Sequence, residues 1–151
     1  MQKFKVPGQS FHLSIKASRG LVRVNISGDL DWPDFLAARL RVVRMLHEPP
    51  VTWIHDYTNA NIRKPHESTS DALKRHQIGG AIPHPNAIIV RKADMGAWQA
   101  HLRKVRTAGL PRGLFSEVEK AAAILWAASH ARRIRAIEGE PLSSLAGCLS
   151  D

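Results

Sequence analysis

The sequence contains very little cysteine and no long apolar run. Its single cysteine, Cys148, lies close to the end of the 151 residues. One cysteine makes neither an internal disulfide nor a zinc site built from several thiolates, which fits a reducing cytoplasm. The longest apolar run, AAAILWAA at 121–128, is far shorter than the roughly 20 residues that cross a bilayer. Residues 1–10 also lack the apolar segment of a signal peptide. We therefore expect a cytoplasmic protein without a transmembrane segment.

The short motifs of common enzymes and nucleotide-binding proteins are absent as well. The sequence has no GxSxG elbow, no GxGxxG and no GxxxxGK[ST] phosphate loop. Its eight histidines form no HxH, HExxH or HxxxH pair. Because zinc needs three or four converging ligands, we expect these histidines to be solvated or to cap helices. The sequence thus predicts no catalytic residue, no metal and no cofactor, and a protein that is not an enzyme.

The charge of the chain is strongly basic and evenly spread. The formal net charge is +9 at pH 7. Residues 1–90 carry 12 basic and 7 acidic side chains, and residues 91–151 carry 10 and 6. Such a charge permits an acidic partner, including nucleic acid, but neither half forms a basic tail. Association with nucleic acid is therefore kept as an alternative to the function argued below.

The first half of the chain predicts a hairpin and a helix. Residues 1–10 look like a polar lead-in, and alternation over 11–16 and 22–26 around a glycine-containing turn indicates two antiparallel strands. A helix then begins near Asp31 and stops at the Glu48-Pro49-Pro50 segment. The predicted apolar stripe of this helix holds Leu36, Leu40 and Val43, with Phe35, Val42 and Leu46 beside it. Its arginines, Arg39, Arg41 and Arg44, are expected to point outward.

The middle of the chain predicts a strand, an irregular segment and a weaker helix. Residues 51–57 read as a strand with apolar residues on both faces. Residues 58–66 are polar and irregular, and the following helix extends to about residue 77. Ser68, Thr69 and Ser70 lie near its start, where free amides favour an anion, so they form a candidate anion site or phosphorylation switch.

The stretch from 86 to 128 has the clearest start and stop signals. The apolar run 87–90 is typical of an interior strand that helices cover on both faces. A helix is predicted over 93–108, and a brief strand at 114–115 follows it.

The last helix begins at a capping box, in which Ser116 and Glu119 satisfy each other's backbone amides. Its apolar face is predicted to contain Val118, Ala122, Leu125 and Ser129, with Ala121, Ile124 and Ala128 alongside. Residues 139–151 show no period and are expected to form a flexible tail.

The predicted order of elements is ββαβαβαβα. Alternating strands and helices indicate an α/β protein with a mixed, mostly parallel sheet of four to five strands, an N-terminal β-hairpin and about four helices. We expect residues 11–138 to form one domain.

Three segments resemble a known family, the STAS domains of anti-sigma-factor antagonists and related STAS/SEC14-like bacterial proteins. They are Gly28-Asp29-Leu30 before the first helix, VTWIHDYTNAN at 51–61, and SEVEKAAAILWA at 116–127. The resemblance implies a regulatory or interaction module that binds a protein partner, a second copy of itself, or a small apolar or anionic ligand. Antagonists of this family carry Asp-Ser, a small residue and Gly after the third strand, whereas this chain has NIRKPHESTSDAL there.

The expected ligand or partner site lies where two parallel strands end. Ligands of open α/β sheets meet the carboxyl ends of the strands. Those ends hold Asp56, Tyr57 and Thr58 after one strand and Arg91 and Lys92 after the next. A structural alternative is that Asp56 simply pairs with Arg91 or Lys92. A second functional alternative is a small enzyme with its site at these strand ends.

Overall fold

Three consecutive strands open the chain, and helices and further strands follow them, in the computed structural model, which describes residues 2–7, 11–30, 32–62, 84–104 and 112–137. Six strands form one sheet in sequence order: β1 (Gln2–Pro7), β2 (Phe11–Ser18), β3 (Leu21–Leu30), β4 (Thr52–Ile62), β5 (Asn86–Val90) and β6 (Arg112–Ser116). The described α-helices are α1 (Trp32–Val43), α2 (Met95–Lys104) and α3 (Lys120–Ile137). Short 3-10 helices precede α2 and α3, at Lys92–Asp94 and Glu117–Glu119.

The sheet is mixed, which confirms the predicted α/β class. Strands β1, β2 and β3 pair antiparallel, and the pairings from β3 to β6 are parallel. The sheet has six strands rather than four or five, because Gln2–Pro7 pairs with β2 where the sequence predicted a lead-in. Phe4 and Val6 alternate there with Lys3 and Lys5, a period-two pattern that suits a strand.

Two predicted segments lie outside the described residues. They are the weaker helix that ends near residue 77, together with its candidate site, and the tail over 139–151. Within the described ranges, no helix combines the length and the apolar character needed to cross a membrane.

The core is divided by the sheet into two layers. Helices α1 and α2 cover one face, against the large buried side chains Phe11, Leu13, Ile15, Val24, Ile26, Trp53, Tyr57, Ile88 and Val90. Helix α3 covers the other face, against Ile54, Ala87 and Ile89. Side chains of β5 thus contribute to both layers, which confirms the predicted interior strand.

Strand β4 extends further than predicted and contains a β-bulge. Residues 58–62, predicted to be irregular, continue the strand beside β3. Between the pairs Asn25–Asp56 and Ser27–Asn59, two residues of β4 oppose one of β3. The extra residue shifts the alternation, so Ala60 is buried while Asn59 is exposed. The polar asparagines therefore fit a strand because the bulge turns them away from the core.

Helix α3 buries a different face from the one predicted. Ala123, Ala127 and Ala131 are fully buried, whereas the side chains of Val118 and Leu125 are 83% and 56% exposed. The prediction placed the bulkier apolar residues inside. The buried alanines instead let the helix lie close to the sheet, where Ala123 and Ala127 pack in one cluster with side chains of β4 and β5. The predicted central stripe of the buried face was wrong, whereas Ala128, predicted beside it, is buried.

Candidate functional site

Asp56 lies at the bulge of β4, on the face of the sheet that α3 covers. Its Oδ1 accepts a hydrogen bond from the backbone amide of Thr58 at 2.9 Å and another from the Thr58 hydroxyl. Its Oδ2 lies 3.1 Å from Nζ of Lys120, in the first turn of α3. Asp56 therefore pairs with Lys120, rather than with Arg91 or Lys92, and ties the bulge to the start of α3.

Tyr57 lies on the opposite face of the sheet, in the layer covered by α1 and α2. Its ring stacks on Trp98 of α2 with the centroids 4.9 Å apart. Burial raises the pKa of Tyr57 far above its ordinary range. The phenol therefore stays neutral, and its ring packs within this layer.

Arg91 and Lys92 follow β5 and contact residues near them in the sequence and on neighbouring elements. Nε of Arg91 lies 3.0 Å from Oδ2 of Asp94, and its Nη2 donates to the carbonyl of Ala60 at 3.2 Å. The backbone amide of Lys92 donates to Oε1 of Glu117 at 3.4 Å. In the part of the chain that is described, no hydrogen bond or ion pair joins either residue to Asp56.

The structure therefore does not gather the five predicted residues into one pocket. Asp56 and Thr58 hydrogen-bond to each other, Tyr57 lies in the other layer, and Arg91 and Lys92 lie past the end of the neighbouring strand. The other candidate group, Ser68, Thr69 and Ser70, lies outside the described residues.

A polar network that the sequence analysis did not predict lies inside the layer between α1 and the sheet. Arg39, expected to point outward, is only 5% exposed, and its Nη1 lies 3.1 Å from Nε2 of His55. Arg39 follows Phe35 by four residues and precedes Val42 by three, so all three share the inner face of α1. The outward assignment of Arg39 was wrong, because charge outweighed spacing in that prediction.

His55 is fully buried in the centre of β4, so it is neither solvated nor a helix cap. Its Nδ1 lies 2.8 Å from Oδ1 of Asn86. Since a guanidinium only donates, Nε2 accepts from Arg39 and Nδ1 carries the proton that it donates to Asn86. Burial, and then the charge of Arg39, lower the pKa of His55 to about 3, against the opposing effect of the Asn86 hydrogen bond. The imidazole is therefore neutral at physiological pH.

Aromatic rings surround this network. The guanidinium carbon of Arg39 lies 5.4 Å from the ring centroid of Phe35 and 5.6 Å from that of Trp53. The His55 ring stacks between Trp53 and Tyr57, with centroid distances of 5.3 and 6.0 Å. Ring faces attract a cation within about 6 Å, so the two rings stabilise the guanidinium charge.

The network can hold a charge but lacks the groups for acid–base chemistry. Both ring nitrogens of His55 are already hydrogen-bonded, and its low pKa makes it a weak base. Among the described residues, no salt bridge joins Arg39 to a carboxylate. Within the same ranges, no three His, Cys, Asp or Glu side chains come together as a metal site. The chemistry that remains is electrostatic attraction of an anion.

The sequence carries a signal for this network that the prediction did not use. His55 lies between Trp53 and Tyr57 at a spacing of two, so all three side chains share one face of the strand. A histidine between two buried aromatics on an interior strand must itself be buried.

A second buried arginine lies in the last turn of α3, at the opposite end of this helix from Lys120. Arg135 is 7% exposed, its Nη2 lies 2.7 Å from Oε2 of Glu48, and its Nε donates to the carbonyl of Arg19 at 2.9 Å. A shallow cavity of about 220 Å³ opens beside these residues, between the β2–β3 turn and the segment after α1. Gly20, with φ of +80°, approaches Arg135 and Val51 closely in that turn. These contacts fasten α3 to the hairpin.

The solvent-facing side of α3, together with the 3-10 helix before it, forms a surface that we call the α3 outer face. It comprises exposed residues at helical spacing, namely Val118, Ala122, Leu125, Ser129, Arg133 and Ala136. The first half of this face is apolar and the second half carries a cation.

No protein-family model matches the chain, and no curated protein matches it.

Proposed function

We propose that this chain is a non-catalytic STAS-like domain that acts as an interaction module and binds a protein partner through the α3 outer face. The observation that carries the proposal is the exposure of Leu125, 56%, on a helix that buries alanines, and of Val118, 83%, in the 3-10 helix that leads into it. Large apolar side chains that line one exposed face mark contact surfaces more often than isolated ones do.

The reversal of the usual helix pattern supports this role. A helix that served only to cover the sheet would place its leucine inside, whereas α3 exposes Leu125 and buries alanines, with Ile124 and Trp126 partly buried against the core. Departures from such local rules concentrate at functional positions, where another requirement opposes stability and solubility. A partner that covers Val118 and Leu125 supplies that requirement.

The charges around the α3 outer face define the partner's chemistry. Arg133 is exposed on this face, Arg132 is half-buried beside it, and the whole chain carries a net charge of +9, whereas the exposed Glu117 and Glu119 flank Val118 at the other end of the face. We propose a partner with a small apolar patch bordered by Asp and Glu side chains. The same charge opposes pairing of the face with a second copy of the chain.

The resemblance to STAS domains, carried by the segments 51–61 and 116–127, agrees with an interaction role. A non-catalytic role is further supported by the polar groups at the strand ends, which are engaged with one another. Asp56 is held by Thr58 and Lys120, and Arg91 is held by Asp94 and a backbone carbonyl. His55 has no free ring nitrogen for a substrate.

The test uses the full chain as bait and a double variant, Val118→Asp with Leu125→Asp. Proteins retained from the source lysate by the wild type and lost with the double variant are identified, then purified and titrated directly. We expect a partner with an acidic surface whose affinity falls at least about tenfold in the double variant. Met45→Asp is the matched control, because Met45 is 62% exposed and lies outside this face.

Two outcomes would contradict the proposal. One is a partner whose affinity falls equally in Met45→Asp and in the double variant. The other is a wild-type dimer in analytical ultracentrifugation that the double variant dissociates, since the face would then be occupied by a second copy.

A second candidate function is association with nucleic acid. A row of basic residues across strands β1, β2 and β3 favours this function. Lys3 pairs with Lys16, and Lys16 pairs with Arg23, on neighbouring strands. Basic residues in one row across neighbouring strands raise the local positive potential, which attracts anions. The phosphate backbone of a nucleic acid is such an anion.

A further inference from the structure

Arg39 is a buried cation without a carboxylate partner in the described part of the chain. It is 5% exposed, and its one side-chain hydrogen bond within those ranges goes to His55, which is neutral. The rings of Phe35 and Trp53 offset part of the cost of burying the guanidinium. A buried ion is strongly unfavourable unless a counter-charge and further hydrogen bonds complete its environment.

The other buried arginine of the described residues shows how this chain treats such a group when its role is structural. Arg135 has a carboxylate, Glu48, at 2.7 Å and a backbone carbonyl at 2.9 Å. Arg39 has an imidazole nitrogen and two ring faces in the corresponding roles. The difference indicates that the counter-charge of Arg39 comes from outside the described residues.

We infer that Arg39 anchors a binding site for a small organic oxyanion, a carboxylate or phosphate monoester carried on an apolar body. A guanidinium presents five N–H donors in a planar fork that matches the two oxygens of such a group. His55 occupies one donor and leaves the others for the ligand. The rings of Phe35, Trp53 and Tyr57 surround the fork with apolar surface, which suits the body of the ligand.

The network also indicates where the ligand would enter. His55 contacts Asn86 at the start of β5, and Nε1 of Trp53 donates to Nδ1 of His84 at 3.4 Å. Asn86 and His84 are both half-buried, so the network reaches the surface at the amino end of β5. This entrance lies away from Asp56 and Arg91. The site is independent of the α3 outer face and of the partner proposed for it.

The experiment titrates the full chain with benzoate, phenyl phosphate and the uncharged analogue benzyl alcohol, and follows binding by calorimetry and the melting temperature. We expect at least one of the two oxyanions to bind and to raise the melting temperature, and benzyl alcohol to do neither. Arg39→Met should weaken that binding at least about tenfold, because the charge-assisted hydrogen bonds are lost. Arg41→Met is the matched control, since Arg41 is an exposed arginine on the same helix.

A second readout comes from the unliganded proteins. Arg39→Met removes the cost of burying the guanidinium but leaves Nε2 of His55 without its donor, so the two effects oppose each other and the urea midpoint should stay close to that of the wild type. If this variant does not fold, Arg39→Lys keeps the charge without the planar fork and should bind about tenfold more weakly.

The inference is overturned if neither oxyanion binds the wild type. It is equally overturned if the surviving Arg39 variant binds them as tightly as the wild type does, because Arg39 would then serve packing alone. Equal stabilisation of all variants would indicate exclusion of the salt from the protein surface, which is a general effect.

Discussion

His55 and Arg39 couple the interior of this protein to pH. The two side chains share a hydrogen bond of 3.1 Å, and both lie among aromatic rings on the face of β4 that α1 covers. A second proton on His55 would remove the acceptor that Arg39 uses and place two positive charges side by side. The packed interior therefore requires the neutral form of the His55 imidazole.

The stability of the protein should fall as the pH drops through the acidic range. The pKa of His55 is about 3 in the folded protein and 6.5 ordinarily, so between these values the unfolded chain binds the extra proton and the folded protein does not. Stability then rises with pH, by at most about 1.4 kcal/mol per pH unit from this group. His55→Gln keeps an acceptor for Arg39 and a donor for Asn86 without titrating. Urea unfolding from about pH 4.5 to 7.5 should show a shallower slope for this variant.

The difference between the two unfolding curves isolates His55, because all carboxylates titrate in both proteins. The curves should run parallel above about pH 7, where His55 is neutral in both states. Parallel curves over the whole range would show that His55 accepts a proton freely, and would contradict its burial beside Arg39.

The sequence predicted the burial of individual polar residues less well than it predicted the strands and helices. The prediction that Arg39 points outward follows from the rarity of buried arginine, whereas the prediction that the histidines are solvated or cap helices follows from the absence of a metal-binding pair. Neither prediction used the spacing from neighbouring apolar residues. The positions of Phe35 and Val42 on α1, and of Trp53 and Tyr57 on β4, already fix the faces on which Arg39 and His55 lie.

At the scale of elements, the β-bulge explains why the predicted site at the strand ends is divided. The extra residue in β4 leaves the amide of Thr58 without its ladder partner, and the Asp56 carboxylate accepts it. Asp56 is thereby committed to its own strand and to Lys120. Nothing in the local sequence signals a bulge, because it depends on the pairing of β4 with β3. The elements themselves, including β5 and the capping box at Ser116, were predictable from local patterns.

The two faces of α3 should respond oppositely to a change of side-chain size. Ala127 is fully buried against the sheet, so Ala127→Leu forces bulk into a packed layer and should cost about 1–3 kcal/mol of the free energy of unfolding. Leu125→Ala on the α3 outer face should change it by no more than about 0.5 kcal/mol, because that side chain is mostly in water. Chemical denaturation of both variants measures the contrast.

A large loss of stability in Leu125→Ala would mean that Leu125 packs within the monomer. The exposure on which the partner proposal rests would then be lost. A tolerated Ala127→Leu would equally show that α3 does not lie close to the sheet. The periodicity of α3 could not decide between these faces in advance, because apolar residues occur almost all the way round the helix.

At the scale of the whole molecule, the order of elements predicts the fold. The net charge does not predict which partner the protein binds. Parallel strands β3 to β6 lie side by side in sequence order, as expected for short right-handed connections. The net charge of +9 is spread along the chain, and some of its basic side chains form ion pairs, such as Arg91 with Asp94 and Lys120 with Asp56. Composition alone therefore cannot distinguish an acidic protein partner from nucleic acid, because both would be attracted.

Salt dependence separates the two, because contacts with phosphates release counterions. If the partner is a protein that the α3 outer face recognises, binding of a labelled single-stranded oligonucleotide should be weak, independent of sequence, and lost by about 0.15 M salt. Fluorescence anisotropy across a salt series measures this. Lys16→Gln with Arg23→Gln should lower the slope of log affinity against log salt by about one per phosphate contact removed. The double variant Val118→Asp with Leu125→Asp keeps Lys16 and Arg23 and serves as the control. Tight binding that survives physiological salt and depends on Lys16 and Arg23 would contradict the protein-partner proposal. It would support nucleic-acid binding by the hairpin instead.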